Sequence, residues 1–147
     1  MNETKKVIAV LLLLAICLSL LPSCGKSDLS IDGMEFTFSH ARKGDKMAIS
    51  ACSSALAEKY KGAKVVDYTL TTDNKVLTVT GEGGTYTGKY KVFERFEESV
   101  VYKINIGEEQ GHASISAKTR EDGTVEYTLI LTIKGYNVTF VSDKKGE

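Results

Sequence analysis

The feature that most limits how this chain can fold is a two-residue alternation of apolar and polar side chains. It begins near residue 64 and runs almost to the end. Successive side chains on a strand point to opposite faces, so such alternation reads as strands with one buried and one wet face. Val66, Tyr68 and Leu70 face one way while Asp67, Thr69 and Thr71 face the other. Asp73-Asn74 turns the chain before Leu77 and Val79, and Glu82-Gly83-Gly84 turns it again. Tyr86, Gly88, Tyr90 and Val92 form the next apolar row, followed by Val100, Tyr102, Ile104 and Ile106. A loop over 107–111 leads to Ala113, Ile115 and Ala117. Asp122-Gly123 is a strong hairpin signal. The longest row follows it: Val125, Tyr127, Leu129, Leu131 and Ile133. Lys134-Gly135 then turns the chain into Tyr136, Val138 and Phe140.

Ahead of this region, Met34, Phe36 and Phe38 alternate with Glu35, Thr37 and Ser39, a first strand. Between the two the period changes. Ile49, Cys52, Leu56 and Tyr60 are spaced 3, 4 and 4 apart, which predicts one face of a helix over about 45–60. Asp45 stands where it would cap the start and Gly62 where the helix ends. Met47 to Ala51 also alternates, so a short strand competes for the same residues. The expected class is mainly β (α+β), with about seven to eight strands in an up-and-down antiparallel meander and one helix after the first strand. A meander of that many strands closes into a barrel or forms a strongly curved sheet across the helix.

The first 24 residues obey different rules. Met1-Asn-Glu-Thr-Lys-Lys6 is net positive, and Val7 to Leu21 is apolar apart from Ser19. That run matches a signal h-region and falls short of the ~20 residues that span a bilayer. It closes on Leu21-Pro22-Ser23-Cys24. The pattern resembles a bacterial lipoprotein signal peptide with its lipobox. Pro22 departs from the commoner Ala, Ser or Thr at that place. The resemblance implies cleavage after Ser23 and a diacylglyceryl group on the sulfur of Cys24. It also implies residence in the cell envelope, with the membrane as a partner through the lipid anchor. Gly25, rather than Asp, follows the cysteine. By analogy with enteric lipoproteins this points to the outer membrane. The expected organisation is a signal peptide over 1–23, the lipidated cysteine and a polar tether over 24–32, a β-domain over 33–142 and a polar tail over 143–147.

Removing residues 1–23 from 147 leaves 124, enough for one domain with a modest core. Glu3, Lys5 and Lys6 leave with the signal, so 17 Lys+Arg face 18 Asp+Glu in the remainder. That balance gives no basis for a nucleic-acid partner. Cys17 goes with the signal and Cys24 takes the lipid, leaving Cys52 without an intramolecular partner. Its apolar neighbours Ala51, Ala55 and Leu56 predict a buried core thiol.

No motif announces chemistry. His40 and His112 lie on different segments with no carboxylate or cysteine at metal-ligand spacing, and read as surface histidines. Ser50, Ser53 and Ser54 lack a recognisable base. Glu94 to Glu98 and Glu108-Glu109 lack the alternating ligands of a calcium loop. Asn137-Val-Thr139 reads as ordinary strand residues. The expectation is therefore no enzyme, no catalytic residue, no metal and no cofactor. Six tyrosines project onto the expected inner face: Tyr68, Tyr86, Tyr90, Tyr102, Tyr127 and Tyr136. They either fill the core or line a cavity for one small apolar ligand.

Strand, helix and meander, with Gly-Thr-Tyr-Thr-Gly-Lys-Tyr at 84–90, resemble in outline the small lipocalin-like lipoprotein domains of the calycin group. The likeness covers roughly 33–142. Lipocalins open their first strand with Gly-x-Trp, whereas this chain has no Trp and carries Gly33-Met34-Glu35 near that place. No lipocalin ligand residue carries over. The resemblance implies a binding module for a small apolar ligand or an envelope protein. The other reading is a structural or accessory lipoprotein with a filled core.

Overall fold

The computed structural model describes residues 25–46 and 48–143. The expected signal peptide over 1–23 and Cys24 lie outside the described residues. The described chain is mainly β, with ten strands: β1 (Glu35–Lys43), β2 (Ala48–Ala51), β3 (Lys64–Val65), β4 (Tyr68–Asp73), β5 (Val76–Gly81), β6 (Gly84–Arg95), β7 (Ser99–Ile106), β8 (Glu109–Thr119), β9 (Val125–Ile133) and β10 (Tyr136–Ser142). One short helix, α1 (Ser54–Lys59), lies between β2 and β3.

Strands β4 to β10 form an antiparallel meander, and β1 joins both of its ends. Glu35 to Thr37 pairs with β4, while Thr37 to Lys43 pairs with β10 in register Thr37↔Val141 through Lys43↔Tyr136. The result is a closed eight-stranded barrel, which removes the exposed edges that an open meander would leave. Above Thr37, β1 parts from β4 and takes β2 as its neighbour, with β3 parallel beyond it. The β2–α1–β3 excursion thus fills a seam in the upper wall. The Phe38 ring closes the same seam edge-on to Tyr68, with centroids 5.6 Å apart.

The helix differs from its expected extent. Residues 48–51 form β2, because Ala48, Ser50 and Ala51 pair with Arg42, Ala41 and His40. Asp45 lies in the β1–β2 turn, and Ser53 caps the helix instead, its Oγ accepting from the Leu56 N–H at 3.3 Å. The helix has six residues, none of them buried. Cys52 is exposed rather than in the core, since it precedes the cap on the outside of the wall.

The interior follows the apolar rows. Phe36, Phe38, Leu70, Leu77, Val100, Tyr102, Ile104, Ala113, Ile115, Leu129 and Phe140 are almost completely excluded from solvent. Gly88 lets β6 and β7 approach closely, because a Cβ there would lie 2.6 Å from the Asn105 carbonyl oxygen.

Candidate functional site

The lower end of the barrel, where β1 begins, is closed by the segment 27–34. A polar spacer was the expectation for 25–32, but most of this stretch is bonded into the domain. Ile31 is fully buried and belongs to the core. Its N–H donates to Tyr102 Oη at 3.3 Å, and its carbonyl accepts from the buried Thr72 hydroxyl. The Gly33 N–H donates to the Thr72 carbonyl at 2.9 Å and the Met34 N–H to Thr72 Oγ1 at 3.1 Å. Arg95 reaches in from β6, its Nη1 donating to the carbonyls of Ser27 at 2.8 Å and Leu29 at 3.1 Å. The Ser27 N–H donates to the Phe96 carbonyl at 2.7 Å. Buried backbone groups need such partners, and here they come from strands 38 to 71 positions away.

The six tyrosines separate into groups. Tyr102 and Tyr90 are buried, with their rings edge-on at 5.6 Å. The Tyr90 hydroxyl donates to Asp32 Oδ1 at 2.6 Å, so both rings brace the plug. Burial, and then the Asp32 carboxylate, hold the Tyr90 phenol well above its usual range. Tyr68 is half-buried, its ring lying over Gly81 on the facing strand. Tyr127 is half-buried beside the plug, where it helps Leu29 and Met34 line an open cleft of about 510 Å³. Tyr136 is half-buried at the upper end, with Lys43 Nζ 5.5 Å above its ring. Tyr86 does not reach the interior. It is 53% exposed on the β5–β6 hairpin, with its hydroxyl donating to the Gly83 carbonyl. The tyrosines therefore do not converge on one space. The centre of the barrel is occupied by aliphatic side chains and by Phe36, Phe38 and Phe140.

Chemistry-bearing side chains are dispersed. Among the described residues, no group of three or more His, Cys, Asp or Glu side chains comes together to hold a metal. His40 is half-buried on β1, stacked on Tyr60 at 5.8 Å and bonded to Ser39 Oγ at 3.0 Å through Nδ1. Burial, with Arg42 and Lys59 nearby, lowers its pKa below the ordinary value of 6.5. His112 is exposed on β8, edge-on to Phe93. Ser53 is occupied as the helix cap, and Asn137 accepts from Thr132 Oγ1 at 2.8 Å within the β9–β10 ladder.

Sequence reasoning missed the lysines of the lower wall. They are distant in the chain, but the ladder sets Lys91 directly opposite Lys103. Lys75 and Lys89 join them around an open groove of about 330 Å³ that includes Asn74, Tyr90 and Asn105. Like charges placed opposite one another weaken a sheet. Beside them stand exposed apolar side chains: Val92, Phe93 at 53% and Phe96 at 47%. Lys103 Nζ lies 4.5 Å from the Phe93 ring centroid. Among the described residues, no helix is long and apolar enough to cross a membrane. Comparison with protein-family models, curated proteins and solved structures finds no match for this chain.

Proposed function

We propose that this chain is a lipid-anchored lipoprotein of the bacterial cell envelope, held in the outer membrane through Cys24, and that its domain acts without catalysis. The barrel presents its outer surface to an envelope protein rather than carrying a ligand inside. The filled interior carries this reading. Phenylalanine rings, aliphatic side chains and the tyrosines Tyr90 and Tyr102 from the eight barrel strands occupy the interior, and Ile31 with its bonded neighbours closes one end. A carrier needs an apolar space of roughly 300 Å³ or more that encloses most of its ligand. The clefts around the plug and the lysines are open to solvent instead. The lipobox pattern at 21–24 supports the anchor.

Two measurements test the reading. Labelled palmitate is expected to enter the full-length protein in growing bacteria and to be absent from Cys24→Ser; equal labelling of both sinks the anchor. Native mass spectrometry of residues 25–147, purified without detergent, is expected to show the bare polypeptide mass. A reproducible small-molecule adduct would instead favour the ligand-binding alternative.

A further inference from the structure

The plug fixes more than the end of the barrel: it fixes where the anchor leaves it. Ser27 is bonded to the Phe96 carbonyl and to Arg95, at the lower end of β6. Cys24 is three residues earlier, and three extended residues reach at most about 10 Å. An acyl group on Cys24 is thus held to the corner of the barrel formed by β6 and the β6–β7 turn.

That corner carries apolar side chains without cover. Phe96 is in the turn, and Val92 lies on the stretch of β6 that overhangs the β4–β5 hairpin, since β5 pairs no further along β6 than Lys89. Phe93 occupies the bulge between Val92 and Glu94, on the outer wall. Lys91 precedes Val92 on β6, Lys103 Nζ lies over the Phe93 ring, and Lys75 lines a groove with both lysines. Aromatic and aliphatic side chains that enter the headgroup region, bordered by lysines that meet lipid phosphates, are what an interfacial surface requires. Glu94, Glu97 and Glu98 share the corner, so apolar insertion and the anchor supply most of the attraction.

We propose that this corner is the face the barrel lays on the lipid bilayer, with Phe96, Val92 and Phe93 entering the headgroup region beside the acyl chains. The inference rests on the lipid-anchor reading of Cys24. It commits the protein to one orientation, with the β5–β6 and β9–β10 hairpins pointing away from the membrane. Tyr86, near the far end of β6, is ten residues from Phe96, about 33 Å along an extended strand.

The absence of tryptophan makes the test direct, because a single introduced indole is the only one in the chain. Full-length F96W, F93W and Y86W proteins are expressed in bacteria, purified in detergent and checked by intact mass for the acyl group. They are then reconstituted into phosphatidylethanolamine–phosphatidylglycerol vesicles containing phosphatidylcholine brominated at the upper acyl carbons. Emission of F96W and F93W is expected to fall by roughly half and that of Y86W by less than about a tenth, since interfacial side chains reach only ~5–10 Å into the bilayer. V92W is a second reporter on the same corner should F96W lower the unfolding midpoint. A lipidated protein in which F96W and V92W stay bright, or in which Y86W is quenched equally, overturns the orientation alone. An intact mass without the acyl group overturns the anchor reading on which it depends.

Discussion

The two ends of this barrel are finished by different means. At the upper end, β9 and β10 are joined by a two-residue turn in which Lys134 and Gly135 have φ of +51° and +76°. Those angles suit a turn whose twist matches the strands, so local backbone chemistry suffices there. The lower end is closed by a segment without regular structure, whose partners are side chains from β4, β6 and β7. Local turn chemistry works at both ends, since Asn74 and Lys75 join β4 to β5 below with φ of +48° and +64°, but the lower end adds a plug held by long-range bonds. The long-range end also holds most of the exposed aromatic surface.

The largest effect that separates the ends is expected from Ile31→Ala. It removes a fully buried side chain and should cost about 2–5 kcal/mol in urea unfolding. A loss under ~1 kcal/mol would mean that the plug is detachable and the barrel stands without it. At the upper end, Lys134→Asn relieves a left-handed lysine and should stabilise the fold by about 0.5 kcal/mol, because asparagine adopts that conformation more readily. A loss of stability would show that the lysine's ion pair with Glu109, at 2.8 Å, matters more than the backbone. The smallest effect concerns His40 in the upper wall. Its folded-state pKa lies below the unfolded value of 6.5, so the unfolded chain binds the proton more readily. Stability should be complete above pH 6.5 and decline as the pH falls through it. His40→Gln should flatten that part of the profile in thermal unfolding at a series of pH values, and an unchanged slope would assign it to carboxylates.

The meander was legible because the alternation is long and each row has a single wet side. Leu129, Leu131 and Phe140 could be placed inside from spacing alone. The stretch over 45–60 was not, because Ile49, Cys52 and Leu56 satisfy helical spacing while Met47 to Ala51 also alternates. Pairing with β1 decided the matter, and no local pattern carries that information. The plug failed to register for a related reason. Leu29 and Ile31 alternate, but two apolar residues among polar ones are too few to signal a core segment. The bonds that hold it come from Tyr102 and Arg95, far along the chain. Tyr86 has the parity of an inner residue and is exposed, because its end of the β5–β6 hairpin lies at the rim. The lysine groove is a property of register: Lys91 and Lys103 meet only once β6 and β7 are paired.

The pairing of β1 with β10 sets the order in which the molecule can be made. Thr37 bonds beside Val141, so the first strand waits for the last. Contacts between such distant residues slow folding, because a long loop must be ordered before they form. A chain delivered N-terminus first therefore holds β1 with one side unpaired until Tyr136–Ser142 has emerged. During that interval Phe36 and Phe38 lack the Phe140 side of their core. This is when the unfinished protein is most open to aggregation, and when a holding chaperone would matter most.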